Sequence, residues 1–324
     1  MKKLLALVTS LVMMFSMASV LSSCNDTADD GVYNIGIVQL VEHVALDAAT
    51  EGFKQAVIDE LGEDKVNFDF QNAQNDAATC STIANQFVSN GVDLIMANAT
   101  PALQAAAAAT GDIPILGTSV TEYGVALEIK DFNGTVGGNI SGTSDLADLE
   151  KQTDMITAWC PDAKKVGLLY CSKEANSQYQ VDVVKELLEK EGLAVTMYPF
   201  TDSNDLAQIC TTAADNSDVI YVPTDNTVAE NTGIIDNICE PKKVPVIAGE
   251  EGICSGCGIA TLCISYYDLG YTTGKMAVKI LRDGGDISTM PIEYAADPTP
   301  KYNKQNCEAL GITPLEGYTA IEVK

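Results

Sequence analysis

One order of segments occurs twice in this chain. Ile35-Gly36-Ile37-Val38 reads as a strand leading through a polar loop into a helical stretch at 46–61, and Val166-Gly167-Leu168-Leu169 does the same ahead of a helical stretch at 179–191. Asp93-Leu94-Ile95-Met96 runs into Asn98-Ala99-Thr100-Pro101, and Asp218-Val219-Ile220-Tyr221 runs into Pro223-Thr224-Asp225-Asn226. Ile113-Pro114-Ile115-Leu116 is echoed by Val244-Pro245-Val246-Ile247. Three matches in one order, offset by 131, 125 and 131 residues, predict two α/β lobes of related topology with a site between them.

Strand candidates are 33–38, 66–70, 94–97, 113–116 and 135–140, then 166–170, 194–198, 219–222, 244–248 and 259–264. They are short apolar or β-branched runs, the pattern of strands covered on both faces. Between them, Phe53, Val57 and Leu61 form one helical stripe, Ile83 and Phe87 a second, and Val183, Val184, Leu187 and Leu188 a third. Strands alternating with helices at this spacing predict right-handed βαβ units and Rossmann-like parallel sheets. The end of the chain departs from the repeat, with a helix at 267–282, one more strand near 291–294 and a short helix at 304–310.

The N-terminus predicts a location. Lys2 and Lys3 precede an apolar run at 4–21 that breaks at Leu21-Ser22-Ser23-Cys24. A basic start, an apolar stretch and small residues describe a secretory signal at 1–23. The run also approaches the ~18 residues of a membrane span, so an uncleaved helix is the competing reading. The last four residues resemble a bacterial lipobox, which makes Cys24 the expected lipidation site and 24–31 a small, acidic tether. Acyl chains there would hold the protein on a membrane, each buried methylene contributing about 0.8 kcal/mol.

Charge and cysteine usage exclude several functions. There are 19 basic against 45 acidic residues, a net charge of −26, and loss of Lys2 and Lys3 makes it more negative still. Nucleic acid is an implausible partner, because phosphate binding needs clustered Lys and Arg. Ten cysteines are present, an odd nine if Cys24 is acylated, and most lie in apolar surroundings where Cys behaves as a small hydrophobe. Cys254-Ser255-Gly256-Cys257 is the one CxxC; it fits either a disulfide or two core thiols. A metal site would need a second ligand pair, which the single His43 does not supply, so neither metal nor cofactor is expected. GxxxxGK[ST] and GxSxG are both absent, and nothing places a serine and an acid near His43.

Open parallel sheets bind ligands at the carboxyl ends of their strands. Here those ends are the loops 39–45, 98–101 and 117–121 in the first half, and 171–177, 223–226 and 249–252 in the second. They supply Gln39, Glu42, His43 and Asn98 as polar candidates, with Thr224 and Asn226 opposite. After the signal the sole arginine is Arg282, at a helix end, so a ligand carboxylate must rely on hydroxyls and backbone N–H groups. Thr100, Ser119, Thr121 and Ser177 are the candidates, each equally fit to be an ordinary cap. A ligand ammonium would want a carboxylate, with Asp225 first and Glu250 second. Tyr266 or Tyr123 would give an aromatic wall, and Trp159 reads as core. The glycine-rich stretch 137–145 reads as an interdomain connection and possible ligand loop, with Ser144 or Asp145 capping the next helix.

Val38-Gln39-Leu40-Val41-Glu42-His43 resembles a family of ABC-transporter substrate-binding lipoproteins with a type I periplasmic-binding-protein fold. So do Gly137-Gly138-Asn139-Ile140-Ser141-Gly142-Thr143-Ser144-Asp145, Glu174-Ala175-Asn176-Ser177 and Tyr266-Tyr267-Asp268-Leu269-Gly270. The resemblance implies three crossovers, near 141–145, 264–267 and 297–301. It implies an N-terminal lobe of 32–143 plus 266–298 and a C-terminal lobe of 144–265 plus 299–324. It further implies a monomeric receptor, tethered outside the cytoplasm, that closes on a small solute and delivers it to ABC permease subunits. An aromatic amino acid, tryptophan above all, is the solute it suggests. A ligand-sensing module for a membrane receptor, or an extracellular enzyme on the same scaffold, are the alternatives. Three cysteines at 253–263 stand where relatives carry Gly or apolar residues.

Overall fold

The computed structural model describes residues 31–296 and 298–321. The signal, Cys24 and most of the tether therefore lie outside the described residues. From Tyr33 onward the chain forms one compact unit holding two sheets. The first contains β1 (Tyr33–Gln39), β2 (Val66–Asn72), β3 (Leu94–Asn98), β4 (Ile115–Val120), β5 (Ile140–Ser144) and β11 (Glu293–Tyr294), in the order β2-β1-β3-β4-β5-β11, all parallel. The second contains β6 (Lys165–Cys171), β7 (Ala194–Phe200), β8 (Val219–Val222), β9 (Val246–Ala248), β10 (Ala260–Cys263), β12 (Thr299–Tyr302) and β13 (Thr319–Ala320), in the order β7-β6-β8-β9-β10-β12-β13. Five strands of one sheet thus follow the same order as five of the other. The sequence echoes fall on β1 and β6, β3 and β8, and β4 and β9.

Each sheet is buried on both faces, for a reason visible along single strands. Ile35 and Ile37 of β1 join Leu94, Met96 and Leu116 on one face, while Val38 joins Ile95, Ala97 and Ile115 on the other. The second sheet divides Leu168, Tyr170 and Tyr221 from Leu169, Cys171 and Ile220 in the same way. Helices complete the layers: Phe53 and Val57 from the Val44–Leu61 helix and Met276 and Ala277 from the Tyr266–Leu281 helix cover one face of the first sheet. These two helices pack unusually close. A Cβ on Gly52 would stand 2.0 Å from the Tyr267 carbonyl oxygen, and one on Gly270 would stand 1.9 Å from that of Ala49.

The chain passes between the sheets three times. After β5 it enters the Leu149–Trp159 helix, which packs on the second sheet; between β10 and Tyr266 it returns; between β11 and β12 it crosses again. Asp148, not Ser144 or Asp145, caps the Leu149–Trp159 helix, accepting from Glu150 and Lys151 N–H. The strand expected at 135–140 begins only at Ile140, because Gly137 (φ +82°) and Gly138 (φ +61°) make a left-handed turn there. Trp159 is buried against Tyr302 and Tyr318. The nine described cysteines are free, so Cys254 and Cys257 are unpaired core thiols. Among the described residues no helix is long and apolar enough to cross a membrane, and no group of His, Cys, Asp or Glu is arranged to hold a metal.

Candidate functional site

A narrow cavity opens where the carboxyl ends of the two sheets face each other, with about 290 Å³ of empty space including its mouth. The first lobe contributes His43, Leu46, Ser119 and Thr121. The second contributes Asn176, Thr224, Asp225, Asn226, Ala229 and Glu250, while Asp145 and Tyr266 come from the connections between them.

Backbone strain marks the floor of the first lobe. Ala99, just after β3, has φ +91°, and Ser119, near the end of β4, has φ +53°. Non-glycine residues in this region cost on the order of 1–3 kcal/mol and cluster at functional sites. At Ser119 the strain accompanies a register shift between β4 and β5. It leaves the Ser119 hydroxyl buried without a hydrogen-bond partner among the described residues; the Thr100 hydroxyl and the Asn98 carbonyl oxygen share that state. Buried polar atoms are seldom left so.

Three acids line the cavity with no Lys or Arg beside them. Both Asp225 oxygens are engaged, one by the Val228 N–H at 2.9 Å and the other by the Cys171 N–H at 2.7 Å. Burial, with Glu174 nearby, pushes its carboxyl up to about 8. Glu250 caps the Glu251–Cys257 helix by accepting from the Gly252 and Ile253 N–H groups, and burial pushes it up to about 7. Asp145 differs. One oxygen accepts from the Tyr266 hydroxyl at 2.8 Å, while the other is buried without a partner among the described residues. Burial raises this carboxyl too, opposed by the hydrogen bond from Tyr266. Asp145 is thus the acid with a spare acceptor. His43 spans the gap, its Nε2 lying 3.3 Å from Asn226 Oδ1, and burial lowers its imidazole below the ordinary value.

Eight residues singled out from sequence meet around this cavity: His43, Ser119, Thr121, Thr224, Asp225, Asn226, Glu250 and Tyr266. Five others do not line it. Gln39 is fully buried, donating to Val41 and Asp47 and accepting from Thr50. Asn98 is held behind the wall by Leu46 and Thr50. Thr100 is buried at the start of its helix, Glu42 points to solvent, and Ser177 packs under the Thr224 carbonyl. Asp225, expected first as the ammonium partner, spends both oxygens holding backbone. Tyr123 is core, bonded to the Thr143 carbonyl at 3.0 Å, and Glu251 pairs outward with Lys301. Leu46 and Ala229 were not expected from sequence and carry no special signal; Asn176 lay in a strand-end loop and Asp145 in the possible ligand loop 137–145, yet neither was singled out as a ligand residue. Arg282 is exposed and paired with Glu60 and Asp283, far in role from a ligand clamp.

Residues 34–320 match the family model described as ABC transporter substrate binding protein. The tyrosine-binding protein of Clostridioides difficile (strain R20291) is 38% identical over 284 residues, 87% of this chain and 82% of that one. A structure from Streptococcus pneumonia in complex with L-Trp superposes with a TM-score of 0.84 at 33% identity, covering 89% of this chain and 99% of that one. The ligand-free, open structure of a substrate-binding protein with adhesive properties from Clostridium difficile covers 90% of this chain and 100% of its own, with 41% identity but a TM-score of only 0.69. The more similar sequence superposes less well. Two mostly parallel sheets of one strand order, three crossings between them and this match in sequence agree: the chain belongs to the ABC transporter substrate-binding protein family, with the type I periplasmic-binding-protein fold.

Proposed function

We propose that this chain captures a free aromatic amino acid, tyrosine or tryptophan, between its lobes and delivers it to an ABC permease. Proteins of this family work on the extracytoplasmic side, with a small molecule and the transporter as their partners. The observation that carries the ligand class is the opposition of unmatched polar atoms across one cavity. The free oxygen of Asp145, with Glu250 nearby, suits an ammonium group, and the unpartnered Ser119 hydroxyl suits a carboxylate. Leu46, Ala229 and Tyr266 offer an apolar and aromatic wall. The C. difficile relative binds tyrosine and the Streptococcus relative holds L-Trp, which places both first among ligands to try.

In this reading the lobes, 32–143 plus 266–298 and 144–265 plus 299–324, move about the three crossings. Ligand shifts the population because it binds the shut form better. Cys24 carries the lipid anchor, the receptor acts as a monomer, and the bound solute leaves unaltered. Thermal-shift and calorimetric screening of the twenty amino acids tests the proposal, with tyrosine, tryptophan and phenylalanine expected to stabilise most. Stabilisation by nucleosides or sugars, with none by amino acids, discards the ligand class. Intact mass of membrane-extracted protein, compared with Cys24→Ala, tests the anchor.

A further inference from the structure

We propose that Glu174 is a positioning residue for lobe closure: it organises Asn226 and Thr227 into a latch that engages His43 and Asn75 across the cleft. The inference rests on the closure reading above and names residues that set its equilibrium, of which Asn75, Glu174 and Thr227 do not line the cavity.

Glu174 sits just after β6 and is 4% exposed. One of its oxygens accepts from Asn226 N–H at 3.0 Å, Asn226 Nδ2 at 2.7 Å and Asn176 Nδ2 at 3.2 Å. The other accepts from Thr227 N–H at 2.9 Å and the Thr227 hydroxyl at 2.8 Å. Five donors on one carboxylate fix two side chains in orientation. With its Nδ2 committed to Glu174, Asn226 must turn Oδ1 outward, and there it meets His43 Nε2. With its O–H committed, Thr227 has only a lone pair left, and Asn75 Nδ2 donates to it at 3.2 Å. The same amide reaches Glu230 Oε2 at 3.5 Å.

The first-lobe side of the latch is held as firmly. Gln74 (φ +54°) and Asn75 (φ +60°) are consecutive left-handed residues in the loop after β2, and the Asn75 N–H is anchored on the Leu40 carbonyl at 2.8 Å. Asn tolerates this conformation better than most residues. Asn75 does not line the cavity. Its contacts join opposite lobes, so they exist only when the lobes are together, and they bias closure whatever the ligand is. Affinity then depends on the latch through the fraction of closed protein.

The test compares wild type with Asn75→Ala and Glu174→Gln, using L-tyrosine as ligand and small-angle X-ray scattering of the ligand-free proteins. Loss of one neutral hydrogen bond corresponds to about a three- to tenfold change. Asn75→Ala is expected to raise Kd by that factor, chiefly through faster dissociation, with the ligand-free Tm lowered only by the strain of alanine at a left-handed position. Glu174→Gln sets an amide N–H₂ against donors and is expected to cost at least as much. The double variant should lose less than the product of the two, since both act through Thr227. Both variants should scatter as more open than wild type. If the wild type binds no aromatic amino acid, the ligand proposal fails, and the scattering difference alone still decides the latch. Folded Asn75→Ala that matches wild type in scattering, and in dissociation where tyrosine binds, overturns it.

Discussion

Asp145→Asn separates the role of a ligand partner from that of a structural acid. In the wild type the carboxyl is 4% exposed, takes the Tyr266 hydroxyl on one oxygen and leaves the other unpartnered among the described residues. Burial raises it, so its charge is disfavoured in the empty folded protein. Asparagine has nearly the same volume, keeps an oxygen for Tyr266 and carries no charge. The ligand-free Tm should therefore hold or rise. A hydrogen bond to a charged group contributes ~1.5–3 kcal/mol, and every 1.4 kcal/mol is tenfold in Kd. Tyrosine binding should consequently weaken by about ten- to 150-fold. Titration calorimetry at pH 7.5 and differential scanning fluorimetry read the two effects separately. An undiminished affinity, or one that falls only in step with a falling Tm, refutes the assignment of the ammonium to Asp145.

The other expectations concern protons, packing and thiols. Asp225 and Glu250 are raised from 3.8 and 4.5 to about 8 and about 7, so the folded chain holds protons that the unfolded chain has released; unfolding free energy should fall as pH rises from about 4.5 to 8, most cleanly between 6.5 and 8 by urea denaturation. His43 is lowered and acts oppositely: its contribution is present above 6.5 and is lost as pH falls through its depressed folded value. If the ligand ammonium pairs with ionised Glu250, tyrosine affinity should increase between pH 6 and 8 in calorimetric titrations. Gly270→Ala drives a Cβ to 1.9 Å from the Ala49 carbonyl oxygen, and overpacking of this kind costs about 1–3 kcal/mol, to be seen as a lower urea midpoint. Alkylation of the native protein should label the buried thiols slowly, and mass spectrometry of the unreduced, unfolded chain should find no Cys254–Cys257 bridge.

Much of the fold is legible because parallel strands covered on both faces must be apolar throughout, and such runs are easily seen. The strand at 219–222 and the helix at 304–310 lie where the pattern places them. The failures have equally local causes. A left-handed glycine pair delays β5, and no apolar run announces β12, whose Thr299-Pro300-Lys301-Tyr302 becomes a strand by pairing with β10. Loops at strand ends pointed to the region where the cavity opens, yet they did not separate residues that line it from those just behind it. Gln39 and Asn98 have the composition of ligand groups and are consumed by Thr50 and the Val44–Leu61 helix.

From the sequence alone follow the two-lobe duplication, the strand-end loops that line the cavity and the single arginine at a helix end, because periodicity, repeat order and composition are properties of the chain itself. Which acid keeps a free oxygen was decided by tertiary structure. Asp225 is claimed by the N–H of Cys171, 54 residues earlier in the chain, while Asp145 meets Tyr266 from 121 residues away and still has an acceptor to spare. The free valence of a polar side chain depends on partners that only folding brings within 3 Å, and no local pattern encodes them.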